Sequence, residues 1–124
     1  MTQDEKAFVL RDLCARLPYG VKVQIPDKYG GHTSVIKNID IDGYVVDDEG
    51  NLTEIEWARP YLFPLSSMTE EQKEEHKDLL DNQYSFDANG SIFTLQDFYN
   101  KYHFDYRGLI PMGLAIDATG KNIY

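Results

Sequence analysis

Leu10, Leu13, Cys14 and Leu17 recur at the i, i+3, i+4, i+7 spacing of one helix face, with Ala7 and Val9 beside them. Thr2 followed by Glu5 forms a capping box, and Asp4 and Glu5 suit the positive end of a helix dipole. Pro18 and Gly20 end the element. The pattern predicts an N-terminal helix with Cys14 in its core face. Phe8 falls off that stripe, among Glu5, Asp12 and Ala15. It is therefore either covered by the later part of the chain or an exposed contact.

From residue 21 the period shortens to two. "VKVQI" (21–25) alternates, and "PDKYGGHT" reads as a turn or loop with Gly30-Gly31 at its tip. "SVIKNIDI" (34–41) and "YVVDD" (44–48) flank Asp42-Gly43, a favoured two-residue hairpin turn. "EGN" turns the chain into "LTEIEW" (52–57). Four such strands with short links predict an antiparallel meander, either packed on the first helix or curled into a small barrel.

"ARPYLFPLSSM" (58–68) carries two prolines and should be an extended, packed connector, because proline disfavours both ladder and helix. Thr69 with Gln72 is a second capping box. It opens a helix whose only apolar residues are Leu79 and Leu80, so most of that helix should face water. "YSFDANGSIF" (84–93) predicts a short hairpin turning at Asn89-Gly90. Thr94 then caps a third helix with Leu95, Phe98, Tyr99 and Tyr102 as its apolar stripe. The expected fold class is α+β in one domain, 1–124. Residues 1–57 are helix plus sheet, 58–68 the connector, and 69–124 a mainly helical part.

Composition adds three constraints. Nine tyrosines and six phenylalanines are a large share of the apolar material, and tyrosine suits half-buried faces and interfaces. Net charge is −9, with segment sums of 0 over 1–20, −4 over 21–60, −6 over 61–100 and +1 over 101–124. Such a surface argues against direct binding of nucleic acid or anionic membrane. The single Cys14 excludes an internal disulfide and a cysteine zinc site. With no signal-like start and no long apolar run, the expectation is a cytoplasmic protein.

Candidate chemistry is sparse. "NIDIDGYVVDDE" places Asn38, Asp40, Asp42 and Glu49 at ligand positions of a calcium loop, but its flanks are not helical. The apolar residues between suit a hairpin, so no metal is expected there. His32, His76 and His103 show no metal-ligand spacing, and no cofactor motif occurs. "YHFDYRGLIPMG" (102–113) concentrates His103, Asp105 and Arg107. As helix punctuation, Asp105 would accept the N–H of Arg107 or Gly108, Arg107 would tether to a carboxylate or carbonyl, and Gly113 would take a positive φ. As a ligand site or enzyme, His103, Asp105 and Arg107 would share a pocket.

The stretches "RPYLFPLSSMTEEQKEE" and "YHFDYRGLIPMGLAIDA" resemble a family of small proteins of gut Bacteroidetes and their phage or mobile elements. That resemblance implies no activity and transfers no catalytic residue. It implies an accessory role in a phage or mobile element. Three functions are expected in order. The first is a non-enzymatic protein-interaction role, through Phe8 or the loop of Tyr29 to His32. The second is an acidic decoy that occupies a nucleic-acid-binding enzyme through Asp40–Glu56 and Glu70–Asp81. The third is a small-ligand protein or enzyme using His103, Asp105 and Arg107.

Overall fold

The computed structural model describes residues 1–26, 31–40 and 42–124. Helix α1 runs Gln3–Arg16 and starts at the expected box. Thr2 Oγ1 accepts the Glu5 N–H at 3.0 Å, and Glu5 Oε1 accepts the Thr2 N–H at 2.8 Å. Its buried face is Val9, Asp12, Leu13 and Arg16, flanked by half-buried Phe8, Leu10 and Leu17. This face is rotated from the predicted one, and Cys14 is exposed rather than in the core. The reason is the pair Asp12 and Arg16. Both are fully buried and bonded to each other, so two charged residues occupy the inside and turn Phe8 toward the core.

Strands β1 (Lys22–Gln24), β2 (Thr33–Ile39), β3 (Tyr44–Asp47) and β4 (Leu52–Glu54) form the predicted antiparallel meander. It is only part of a larger sheet. Arg59–Leu62 is strand β5, antiparallel to β1, and Ile116–Asp117 is β8, parallel to β5. The six-stranded mixed sheet has the order β4-β3-β2-β1-β5-β8, open and not a barrel. Pro60 lies in β5 opposite Val23, which corrects the reading of 58–68 as a connector. β8 pairs only with Tyr61 and Leu62. Pro60 therefore sits where β5 has a single neighbour, and a missing N–H is tolerated on an open side.

The part after residue 69 is less helical than expected. Helix α2 (Glu70–Asn82) has the Thr69–Gln72 box. The hairpin of β6 (Tyr84–Phe86) and β7 (Ile92–Thr94) follows, and then α3 (Leu95–Lys101), capped by Thr94. Residues 102–115 are mainly turns. No helix among the described residues is long and apolar enough to cross a membrane.

Five turns share one spacing, and three of them, at Asp40, Asp47 and Asp87, share one set of hydrogen bonds. Asp40, Asp47, Asp87, Asp105 and Asp117 each precede a glycine by three residues, and Gly43, Gly50, Gly90, Gly108 and Gly120 have φ of 75–86°. Asp47 Oδ1 accepts the N–H of Glu49 and Asn51, and Asp87 Oδ1 those of Asn89 and Ser91, each at 2.9 Å. Asp40 does the same for Asp42 and Tyr44, so the first hairpin turns between Asp40 and Tyr44 rather than on two residues alone. The carboxylate binds donors that the turn would leave free, and glycine accepts the left-handed backbone.

Two cores result. Val9 and Leu13 pack with Val21, Val23, Ile36, Leu62 and Leu109 between α1 and the sheet. Leu79, Phe98 and Phe104 form a second, aromatic core with Phe63, Phe93, Tyr99 and Tyr102.

Candidate functional site

The Tyr102–Gly113 stretch does not assemble one site. Arg107 Nη1 bonds Asp12 Oδ1 at 2.8 Å, the tether the sequence suggested. Asp105 accepts the N–H groups of Leu109 (2.7 Å) and Ile110 (2.9 Å), not those of Arg107 or Gly108. His103 points elsewhere again, with its ring stacked on Tyr124 at 3.7 Å and 10° between planes. The three side chains thus have separate partners and share no pocket.

Arg107 belongs to a buried charge network. Arg16 Nε meets Asp12 Oδ2 at 2.9 Å, and Arg16 Nη2 donates to the Phe104 carbonyl at 2.6 Å. The Tyr106 ring lies under the Arg107 guanidinium at 4.5 Å and stacks on Tyr99 at 5.0 Å. Asp12 therefore faces two arginines, and two of these contacts, Arg107 to Asp12 and Arg16 to the Phe104 carbonyl, join α1 to the segment after α3. With Asp12 and Arg16 sealed from solvent, the network is a clamp between two parts of the chain.

His103 lines a cavity of about 420 Å³. Rings of Phe63, Tyr102, Phe104 and Tyr124 form its walls, and Thr69 and Lys101 are on its rim. Two short contacts build it. Phe63 N–H donates to the His103 carbonyl and Asp105 N–H to the Phe63 carbonyl, both at 2.8 Å, which locks the chain after α3 beside β5. The Tyr124 hydroxyl accepts from the Lys22 N–H at 2.9 Å and donates to the Tyr61 carbonyl at 2.8 Å. Burial pushes the Tyr124 phenol up to about 12. Burial, then the charges of Arg16 and Lys22, pulls the His103 imidazole down to about 4. His103 has φ 61°, is 7% exposed, and its Nδ1 is buried without a partner.

A larger groove of about 550 Å³ lies between α1 and the β3–β4 hairpin, lined by Lys6, Leu10, Tyr44 and Glu56. Lys6 and Glu56 pair across it at 3.4 Å. Phe8 is half-buried against the main core. His32 is exposed, 4.0 Å from Asp47 Oδ2, whereas Tyr29 lies outside the described residues. Asn38 sits in β2, Asp40 is bonded within its turn, and no cluster among the described residues could hold a metal ion.

The outer face of the β6–β7 hairpin was not foreseen. Phe86 and Ile92 are directly opposite in the ladder and Tyr84 is two residues along, so all three share one face. They are 63%, 64% and 50% exposed. Tyr84 and Phe86 meet edge to face at 5.7 Å. Leu80, near the end of α2, is exposed too. The signal was in the alternation of "YSF" and "SIF", which leaves Tyr84, Phe86 and Ile92 on one side while Phe93 is half-buried on the other.

Architecture and site together define a mixed α and β protein with an aromatic cavity and a bare apolar hairpin face. Compared with protein-family models, curated proteins and solved structures, the chain matches none.

Proposed function

We propose that this protein acts by docking another protein on the apolar face of the β6–β7 hairpin. The observation that carries the reading is the exposure of Tyr84, Phe86 and Ile92 on one face. Large apolar side chains left bare together mark interaction sites. Among the described residues the two strands pair only with each other, so each keeps an open edge to which an extended segment can add. Asp78, Asp81 and Asp87 adjoin the face along the chain and are exposed. These acids select a partner segment that is apolar with flanking lysine or arginine, and they oppose a second copy of a chain with net charge −9. The accessory role implied by the sequence resemblance is compatible with such docking.

The test compares wild type with the Phe86→Ser/Ile92→Ser variant as baits, followed by titration of the captured basic segment as a synthetic peptide. Loss of ~2 kcal/mol or more of binding in the variant, with the main core intact by circular dichroism, is expected. Equal binding by both proteins overturns the reading. A second reading, the acidic decoy, is favoured by the exposed Glu70, Glu71, Glu74, Asp78 and Asp81 of α2. It predicts a nucleic-acid enzyme bound equally by the variant and released by salt.

A further inference from the structure

We infer that the His103 cavity is a binding site for a small, uncharged, planar heteroaromatic molecule carrying a hydrogen-bond acceptor. This inference is independent of the docking reading, because no hairpin-face residue lines the cavity. About 420 Å³ lies within the range of small-molecule sites, as do mostly apolar walls with a few polar groups.

The residues select the ligand. In a chain with 21 acids, no carboxylate among the described residues lines this cavity, and Lys101 is the one charged side chain among them that does. A cation would find ring faces but no carboxylate, and Lys101, already over the Tyr102 ring at 5.1 Å, would repel it. An anion would meet Lys101 but also the acidic first turn of α2, Glu70 and Glu71, beside the Thr69 rim. An uncharged ring is opposed by neither. Four aromatic side chains in the walls offer ring faces and edges, which favour stacked or edge-on aromatic guests.

His103 supplies the polar contact. A proton on Nδ1 would be a buried donor with no acceptor, so the neutral ring carries its proton on Nε2. Nε2–H has no partner among the described residues and donates to the acceptor of the guest. Burial keeps the ring neutral at pH 7, so it recognises a neutral acceptor rather than an anion. His103 has a left-handed backbone, and its ring lies flat against Tyr124. A strained residue at a cavity wall is a common mark of a ligand site.

Nicotinamide is the probe, with benzoate as the charged comparator and cyclohexanecarboxamide as the non-aromatic one. Two-dimensional NMR of the full chain follows the His103, Tyr102 and Tyr124 ring signals during titration. Saturable shifts at those rings are expected for nicotinamide, with millimolar affinity, and about tenfold weaker binding by each comparator. His103→Asn, which tolerates the left-handed backbone, should weaken nicotinamide about tenfold. Thr119→Trp, at the exposed rim, should block it in a protein that remains folded by circular dichroism. The inference is overturned if the rings do not shift, if all three compounds bind alike, or if the rim variant binds as wild type does.

Discussion

His103 takes the place just after α3 where glycine is usual, at φ 61°, and buries a ring lacking one hydrogen bond. Its pKa lies at about 4 when folded, below the ordinary 6.5. Between those values the unfolded chain binds a proton that the folded chain does not. Stability therefore rises with pH across that window and is complete above it. The full shift corresponds to about 3 kcal/mol. Urea unfolding of wild type and His103→Asn at pH 7 and in mild acid checks this. The wild type should lose more stability on acidification than the variant. Equal losses would mean that the ring is not held neutral in the fold.

At the scale of elements, the Asp-x-x-Gly turn lets one device serve hairpins with different burdens. Asp47 is buried at the end of β3. Burial raises its pKa, but hydrogen bonds from Asn51 and Glu49, with His32 nearby, outweigh this and leave it below the ordinary value. Its contribution is present above the unfolded pKa and is lost as pH falls through the depressed folded one. Asp47→Ala should cost ~1–3 kcal/mol near neutral pH and less in acid, measured by denaturation. Asp87 makes the same bonds in a hairpin whose residues 84–91 are all exposed. Asp87→Ala should barely move the global midpoint but should speed hydrogen exchange in β6 and β7. A global loss as large as that of Asp47→Ala would show the hairpin to be part of the cooperative core. The device was readable beforehand, since the five spacings stand in the sequence. Of the five, only Asp105 reads from the sequence as an acceptor for turn N–H groups, while Asp40 falls at a calcium-loop position and Asp47 in the acidic stretch Asp40–Glu56.

At the scale of the whole molecule, Asp12 is the point where distant parts meet. It binds Arg16 four residues away and Arg107 ninety-five residues away. Removing one member leaves buried charges unpaired, so Asp12→Ala should cost ~3–5 kcal/mol. In a double-mutant cycle, Arg107→Ala should cost much less in that background than in wild type. Simple additivity would show that Arg107 does not act through Asp12.

Local chemistry alone determined the three helices, strands β1 to β4 and the β6–β7 hairpin. The two predicted capping boxes, the Thr94 cap, the meander and the Asn89-Gly90 hairpin depend on neighbours a few residues apart, and these form as the sequence pattern predicts. The mixed α and β class follows from them. The tertiary structure decided which face of α1 is inside, because a buried aspartate reads as surface until the partner far along the chain is known. It made Pro60 a strand residue by giving it β1 on one side. It separated His103, Asp105 and Arg107, neighbours in sequence, by giving each a different long-range or backbone partner. Periodicity reports which side chains lie together along one element. Only contact between elements supplies the partners that make a charge stable inside, or leave an apolar face bare outside.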